Sequence, residues 1–259
     1  MSEKFKEQAV VLSQEMIATQ IFSMWLKTDR IAQMAVPGQF ISVYSNDSGR
    51  MLPRPISICE TDPEKNAVRI VYRVAGKGTE EFSRCVAGDT LEILGPLGNG
   101  FPLDRCPEGK KAFLIGGGIG VPPMVELSKR IRGQVQVVAG YRDELFLQQE
   151  LSANGTMYVA TEDGSVGTKG NVIDCIRENG LTADVIYACG PTPMLRALKS
   201  YAAENNIECW LSLEERMACG IGACLACVCK SKEVDHHSNV HNKRICKEGP
   251  VFAAEDIEL

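Results

Sequence analysis

Three cysteines near the C-terminus limit what this chain can fold into more than any other feature of its sequence. Cys219, Cys224 and Cys227 follow the order C-x4-C-x2-C. This is the spacing of plant-type loops that hold a 2Fe–2S cluster, in which the thiolates of one short loop converge on two irons. Gly220 and Gly222 give the backbone the φ freedom that such a tight curl needs. The pattern therefore predicts an iron–sulfur loop.

The cluster needs a fourth thiolate, and two cysteines downstream compete for that role. We expect Cys246 to supply it, and Cys229, only two residues after Cys227, is the competing candidate. Zinc is an alternative, since four cysteines suit it, but zinc sites usually pair two short C-x2-C knuckles. A disulfide framework is disfavoured because the eleven cysteines come without a recognisable export signal.

The composition argues against several classes of protein. Hydrophobic residues make up 44% of the 259 residues, which is enough for folded cores and, at roughly 150 residues per domain, for about two domains. The net charge is −5 and no basic block occurs, so nucleic acid is not an expected partner. No run approaches the roughly 18 apolar residues of a membrane-spanning helix. The N-terminal residues lack the apolar core of an export signal, and we expect a cytoplasmic protein.

The N-terminal part of the chain reads as β structure. Short runs of β-branched and apolar residues alternate with turns rich in Gly, Pro, Asn and Asp. The runs are Gln8–Leu12, Ile17–Leu26, Gln39–Val43, Ile56–Glu60, Ala67–Val74 and Thr90–Leu94. About six antiparallel strands at such intervals predict a small barrel. A helical turn or two is expected around residues 79–85.

The pattern changes at Lys111, where apolar strands begin to alternate with amphipathic helices. The expected strands are Ala112–Gly116, Val135–Gly140, Met157–Ala160, Val185–Cys189 and Glu208–Leu213. The expected helices are Val121–Arg132, Leu145–Leu151, Asn171–Glu178 and Pro193–Glu204. This alternation predicts about five parallel strands with helices on both faces. We therefore expect a barrel over residues 1–104, an α/β unit over 105–213 and a cluster unit over 214–259.

Two strand-to-helix turns of the α/β unit are candidates for nucleotide binding. Glycines at such a turn let a pyrophosphate approach backbone N–H groups at a helix N-terminus. A second turn repeats the geometry and would leave Cys189 at the rim of the site. The candidates are Gly116, Gly117, Gly118, Gly120, Cys189, Gly190 and Pro191. Tight helix–sheet packing explains the glycines as well, and a buried, inert thiol explains Cys189.

The barrel carries a second set of candidates. Arg54 begins the motif Arg-Pro-Ile-Ser, and an arginine can hold a phosphate while the hydroxyl of Ser57 can hydrogen-bond a flavin ring. The segments 71–73 and 78–79 follow downstream. An ordinary surface turn at a strand start would explain the motif as well.

In combination, these motifs are recognisable. A barrel with Arg-Pro-x-Ser, a Gly-Gly-Gly-x-Gly turn and a late Cys-Gly-Pro resemble the ferredoxin–NAD(P)+ reductase superfamily over almost the whole chain. The C-terminal Glu-Arg-Met-x-Cys-Gly-Ile-Gly-Ala-Cys makes the chain similar to the electron-transfer subunits of type B dihydroorotate dehydrogenases. That resemblance implies FAD on the barrel, NAD+ on the α/β unit and a cluster facing a separate, FMN-bearing catalytic subunit.

The resemblance also implies roles for particular residues. The implied FAD contacts are Arg54, Pro55, Ile56, Ser57, Val71, Tyr72, Arg73, Gly78 and Thr79. The implied cluster ligands are Cys219, Cys224, Cys227 and Cys246. One departure is that the loop between the last two of these cysteines is longer than the usual spacing in the family, which keeps Cys229 as a competing ligand. No catalytic residue is implied beyond a nicotinamide-proximal role for Cys189.

The implied function is an electron wire in de novo pyrimidine (UMP) biosynthesis. Dihydroorotate would reduce FMN in the partner, and electrons would pass through the cluster and FAD to NAD+, in a heterotetramer of two of each subunit. The chain shows no catalytic base for dihydroorotate, because His236, His237 and His241 lie in a polar loop and are expected to be solvated. Arg142 could meet the 2′-phosphate of NADP+, but the resemblance points to NAD+.

Two alternatives have different partners or no catalytic role. The first is a related flavin subunit of a sulfide dehydrogenase or of an NAD(P)H–ferredoxin reductase complex. The second is a non-enzymatic iron–sulfur or zinc sensor on a reused fold, since fold alone does not settle function. A zinc sensor would be colourless, whereas a flavin with a cluster would be brown.

Overall fold

The computed structural model describes residues 3–235 and 239–259. His236 and His237 therefore lie outside the described residues, and their predicted solvation stays a prediction. Among the described helices, none has the length and apolar character needed to cross a membrane.

Six antiparallel strands close into a barrel in the order β1-β2-β5-β4-β3-β6. The strands are β1 (Phe5–Ala18), β2 (Ile21–Lys27), β3 (Phe40–Val43), β4 (Arg54–Asp62), β5 (Ala67–Arg73) and β6 (Thr90–Leu97). Two short helices lie between them, α1 (Ile31–Met34) and α2 (Lys77–Phe82). The predicted barrel is confirmed.

The barrel closes around an apolar core because side chains along each strand alternate between its two faces. Ile41 of β3, together with Ile56 and Ile58 of β4, is buried in this core. Ser42 and Ser57 lie at the intervening positions, which places them on the outer face of the barrel. This outer face carries the polar candidates Ser57 of β4 and Arg73 of β5.

The prediction that the first two strands break between residues 12 and 17 is wrong. β1 runs without interruption over Phe5–Ala18, and the turn follows it, where Gln20 has a φ of 61°. The polar stretch stays in the strand because the Gln14 amide bonds across the barrel, donating to the carbonyl oxygens of Phe82 (3.0 Å) and Cys85 (2.8 Å). Strand bounds taken from apolar runs alone miss such a long-range partner.

The second unit is a seven-stranded sheet in the order β10-β9-β8-β7-β11-β12-β15, where β15 is Val251–Ala253. Its parallel strands are β7 (Lys111–Gly117), β8 (Gln134–Tyr141), β9 (Thr156–Thr161), β10 (Thr168–Lys169), β11 (Val185–Cys189) and β12 (Glu208–Ser212). Its helices are α3 (Pro123–Arg130), α4 (Gln148–Ser152), α5 (Val172–Glu178) and α6 (Thr192–Glu204). The predicted parallel sheet is confirmed, with α3 packed in one core and α5 and α6 in the other.

The C-terminal segment is anchored to both units. A hairpin of β13 (Val228–Lys230) and β14 (Asn242–Arg244) accounts for the long loop before Cys246. The chain then returns to the α/β sheet, where β15 (Val251–Ala253) pairs antiparallel with β12. The division into units at residues 104 and 213 stays a prediction.

The outer face of the barrel packs on the α/β unit through a shared apolar core. Cys59 and Val71 of the barrel are buried in the same cluster as Met124 and Tyr187. This packing brings the polar residues of β4 and β5 next to the carboxyl ends of the parallel strands, where ligands of open α/β sheets bind.

Candidate cofactor-binding sites

The loop after β12 brings four cysteine side chains together as two pairs. Cys219 contacts Cys224, and Cys227 contacts Cys246. The second pair forms because the β13–β14 hairpin turns the chain back, so that the Ile245 N–H donates to the Cys227 carbonyl at 2.8 Å. Within the described ranges, no three His, Cys, Asp or Glu side chains lie close enough together to share one metal ion. Two pairs suit the two irons of a 2Fe–2S cluster better than one tetrahedral zinc.

Backbone N–H groups of the loop point at the cysteine sulfurs. Ile221 N and Ala223 N lie 3.4 and 3.3 Å from Cys219 Sγ, and Gly222 N lies 3.1 Å from Cys246 Sγ. This curl needs the left-handed backbone that glycine adopts readily, with φ of 68° at Gly220 and 85° at Gly222. The loop is therefore preorganised to stabilise negative charge on sulfur.

The same contacts lower the pKa of two of the cysteine thiols and so favour the thiolate form. Burial by itself raises the pKa of Cys219, but N–H donation from Ile221 and the contact with Cys224 lower the pKa to about 7. The contact with Cys246 lowers the pKa of Cys227 to about 6 and raises the pKa of Cys246 in return. In each pair, one thiol thus has a lowered pKa, and the thiolate is the form that binds metal.

Cys229 is set apart from these pairs. It lies in β13, and its Sγ is directed at the Lys243 carbonyl oxygen, 3.6 Å away. Burial raises the pKa of Cys229 to about 11. The structure thus places Cys246, and not Cys229, beside Cys227.

Arg244 is a residue of this site that the motifs did not reveal. It is 5% exposed, and its Nη1 donates to the Gly222 carbonyl oxygen at 3.0 Å. Glu248 holds the guanidinium through Nε (3.0 Å) and Nη2 (2.6 Å). Arg244 therefore ties the hairpin to the cysteine loop. Only the i,i+4 spacing of Arg and Glu hinted at this pair.

The structure brings Arg54 and Gly78 together, although they lie far apart in the sequence. A Cβ at residue 78 would lie 2.1 Å from Arg54 Nε, so the guanidinium rests on the bare backbone of the glycine. Thr79 braces the preceding turn, because its Oγ1 accepts the N–H groups of Ala75 (2.9 Å) and Gly76 (3.2 Å). A guanidinium over such a turn suits the diphosphate of a dinucleotide.

The other barrel candidates divide by face. Ser57 and Arg73 lie on the outer face, where their side chains can reach a ligand. The side chains of Ile56 and Tyr72 point into the barrel core, and the Tyr72 hydroxyl donates to Gln14 Oε1 at 2.7 Å. At these two positions only the backbone can contact a flavin.

The two glycine-rich turns of the α/β unit pack directly on each other. A Cβ at Gly120 would lie 2.3 Å from the Cys189 carbonyl oxygen, and one at Gly117 would lie 2.6 Å from Met194 Sδ. Gly118 is different. With a φ of 53°, it has only Arg73 Nη2 near its missing Cβ, at 4.0 Å. Tight packing therefore explains some of the glycines, while Gly118 leaves room between the barrel and the sheet.

Of the two interpretations of Cys189, a thiol at the rim of the site or a buried one, the structure shows the buried thiol. Its side chain is 1% exposed, and burial raises the pKa of the thiol. It is buried because β11 is a central strand between β7 and β12, so both of its faces are covered.

The barrel, the parallel sheet and the paired cysteines define a class: a flavoprotein of the ferredoxin-reductase fold with an added iron–sulfur segment. An oxidoreductase FAD-binding domain model matches residues 8–101, and the iron–sulfur cluster binding domain of dihydroorotate dehydrogenase B matches residues 214–258. The structure is similar to that of an NADH-dependent reduced ferredoxin–NADP oxidoreductase studied for flavin-based electron bifurcation. The TM-score is 0.86 at 26% identity, over 97% of this chain and 90% of the other.

Relatives that match over the full length identify the family more specifically than the two domain models do. The chain is 43% identical to the dihydroorotate dehydrogenase B (NAD(+)) electron transfer subunit of Geobacillus thermodenitrificans, over 98% of this chain and 99% of the relative. It is 44% identical to the subunit of the same name from Bacillus caldolyticus, with the same coverage. The chain belongs to the family of dihydroorotate dehydrogenase B electron transfer subunits, and the resemblance inferred from its motifs is confirmed.

Proposed function

We propose that this chain carries electrons from the FMN of a separate dihydroorotate dehydrogenase subunit, through a 2Fe–2S cluster and FAD, to NAD+. The observation that carries the proposal is the near full-length similarity to relatives of that role, in a chain whose four cysteines pair as a binuclear cluster requires. The step belongs to pyrimidine biosynthesis, as the name of these relatives implies.

When bound, the cluster supplies one-electron transfer, and the flavin couples it to two-electron chemistry. The residues of this chain hold and tune these groups. The ligands are Cys219, Cys224, Cys227 and Cys246, with the loop N–H groups directed at their sulfurs. Arg54 and the turn at Gly78 and Thr79 would hold the FAD diphosphate, while the side chains of Ser57 and Arg73 and the backbone of Val71 and Tyr72 would line the flavin ring. Gly118, which has only Arg73 Nη2 near its missing Cβ, would leave room for the nicotinamide nucleotide.

The charges at the edge of the sheet favour NAD+ over NADP+. Arg142 follows β8 and is paired with Asp143 at 3.2 Å. Glu162 and Asp163 follow β9, the neighbouring strand. A 2′-phosphate near these strand ends would meet carboxylates as well as the single arginine, whereas a ribose hydroxyl can hydrogen-bond a carboxylate. The relatives are named as NAD(+) enzymes.

The partner we propose is the FMN-bearing catalytic subunit, in a cytoplasmic assembly of two of each chain. Ile221 and Leu225 support this, because these apolar side chains of the cysteine loop are 45% and 39% exposed. Electron tunnelling weakens steeply with distance, so a partner that covers them would bring its flavin close to the cluster. Within the chain, residues 1–104 would bind FAD, 105–213 NAD+ and 214–259 the cluster.

The test compares the activities of the isolated chain with those of its complex with the catalytic subunit. Purified alone, the chain should oxidise NADH with ferricyanide as acceptor and fail to oxidise dihydroorotate. Mixed with an FMN-bearing catalytic subunit, it should form a stable complex in which dihydroorotate reduces NAD+. Dihydroorotate oxidation by the isolated chain would refute the proposal. Failure to pair with that subunit, together with ferredoxin-linked NAD(P)H oxidation, would favour the class of the structural neighbour instead.

A further inference from the structure

The hydroxyl of Ser42 is buried without a hydrogen-bond partner. Ser42 is 1% exposed, and its Oγ is the one buried side-chain nitrogen or oxygen in residues 3–235 and 239–259 that lacks such a partner. Folded proteins almost always pair a buried polar group, and an exception calls for a physical reason. The hydroxyl is therefore a candidate for contact with a bound group.

The position of Ser42 indicates which group that is. It lies on the outer face of β3, where its neighbours across the ladder are Pro55 of β4 and Leu94 of β6. The proposed flavin residues lie on β4 and β5, so β3 is on the opposite side of β4 from β5. That side is covered by the cysteine loop: a Cβ at Gly220 would lie 2.9 Å from Ser42 Oγ and 3.3 Å from Leu97 Cδ1. Ser42 thus lies directly beneath the residue that follows Cys219.

The surroundings of Ser42 limit what can accept its proton. Pro55, Leu94 and Leu97 offer apolar side chains, and no atom of residues 3–235 or 239–259 accepts from the hydroxyl. The N–H groups of the loop already approach the cysteine sulfurs from the loop side. The barrel side has no backbone N–H in that role among the described hydrogen bonds. A hydroxyl on β3 is placed to supply a donor from that side.

We propose that Ser42 Oγ donates a hydrogen bond to a sulfur of the 2Fe–2S cluster and acts as a positioning residue that raises its reduction potential. Hydrogen bonds to cluster sulfurs stabilise the reduced form, which carries one more negative charge, and so raise the potential. The inference rests on the proposed cluster ligands. It assigns the outer face of β3 a role in setting the driving force between the cluster and the flavin.

The test is a redox titration of the purified protein with its bound cofactors, with the reduced cluster followed by EPR. In Ser42→Ala, the ratio of reduced to oxidised cluster at a fixed ambient potential should fall about tenfold, which corresponds to about 59 mV for a one-electron couple. The flavin potential should not change. Ser42→Thr keeps the hydroxyl and should restore most of the ratio. ENDOR should show an exchangeable proton coupled to the wild-type cluster that is lost in Ser42→Ala.

Ser128→Ala is the matched control, because it removes a buried hydroxyl from α3 whose partner is the Val125 carbonyl oxygen at 2.7 Å. Ser128→Ala should leave the cluster potential unchanged.

An unchanged cluster potential in Ser42→Ala would overturn the proposal. A shift confined to the flavin potential would also overturn it and would assign the hydroxyl to FAD. If Ser42→Ala does not fold, the Ser42→Thr titration decides, since a tenfold loss there despite the retained hydroxyl also contradicts the proposal. Iron content separates these outcomes from failure of the proposed function, because wild-type protein without a cluster would refute that function instead.

Discussion

Arg69 of the barrel and Glu150 of the α/β unit form an ion pair across the boundary between the two, with Arg69 Nη1 2.8 Å from Glu150 Oε1. Arg69 is 7% exposed, and it also donates to Ser23 Oγ at 2.9 Å and pairs with Glu60 at 3.3 Å. A charge removed from water to this extent is stable only while its partners stay in place. The pair therefore fixes how the proposed flavin face meets the proposed nicotinamide site.

Arg69→Met should destabilise the protein and slow electron entry from NADH. The substitution removes the ion-pair partner of Glu150, whereas Glu60 keeps its pair with Lys129, and the loss should be about 1–3 kcal/mol. At about 2–4 °C per kcal/mol for a chain of this size, calorimetry should show a melting temperature several degrees lower. The NADH–ferricyanide rate should fall as well, because the two faces lose a fixed orientation.

Arg142→Met is the control for this change, since its side chain is 79% exposed and its ion pair is with its neighbour Asp143. Exposed pairs contribute little, so its melting temperature should match that of the wild type. Equal melting temperatures for Arg69→Met and the wild type would show that the ion pair does not hold the units together.

Gly78→Ala should weaken FAD binding without unfolding the barrel. Alanine is the better helix former, so α2 itself gains stability. The new Cβ, however, would lie 2.1 Å from Arg54 Nε and must displace the guanidinium. Loss of a charge-assisted contact of about 1.5–3 kcal/mol raises the Kd for FAD roughly tenfold to hundredfold, which fluorescence titration of the flavin-free protein measures.

Gly76→Ala is the matched control, because a Cβ there meets nothing within 4 Å. It should bind FAD like the wild type. Wild-type affinity in Gly78→Ala would remove Arg54 from the diphosphate site. Equal losses in both variants would point to the turn as a whole rather than to the guanidinium.

The choice of fourth cluster ligand can be tested by single Cys→Ser changes. Cys246→Ser should lose iron and the visible absorption of the cluster, as should the same change at Cys219, Cys224 or Cys227, because a hydroxyl is a poor iron ligand beside thiolates. Cys229→Ser should keep both, since its sulfur faces the Lys243 carbonyl oxygen. Bleaching of Cys229→Ser with retention of iron in Cys246→Ser would reverse the assignment.

The sequence pattern predicted those elements that depend on interactions between residues close in sequence. The apolar alternation of the barrel and the buried strands of the sheet follow from periods of two and from continuous apolar runs, and both units formed as expected. The cysteine spacing likewise predicted a loop, because the curl depends on glycines within it. Where residues close in sequence determine an element, the sequence was sufficient to predict that element.

What escaped prediction depends on partners far along the chain. The continuity of β1 depends on Gln14 reaching residues 82 and 85, and the placement of Arg244 depends on the return of the hairpin to Gly222. The last strand, β15, looked like part of a separate unit because three residues carry no signal for their pairing with β12. The unpartnered hydroxyl of Ser42 had no sequence signal at all, since only the packed loop shows that no atom in the described part of the chain accepts its proton.

The proposed docking face predicts that Ile221→Glu and Leu225→Glu separate the chain from its catalytic subunit while leaving its own chemistry intact. Both side chains are substantially exposed, so a charge is tolerated in the free chain, and Leu225 already has a φ of 57° that glutamate does not strain further. In a complex, each charge would be buried against an apolar partner surface. Loss of a central apolar contact costs about 2 kcal/mol or more, so the Kd should rise about thirtyfold.

Met16→Glu, at a side chain 64% exposed on β1, is the control and should bind normally. Iron content and NADH–ferricyanide activity should match the wild type in all three variants, whereas transfer from dihydroorotate should fall only in the loop variants. Disruption by Met16→Glu alone would place the partner on the barrel and away from the cluster.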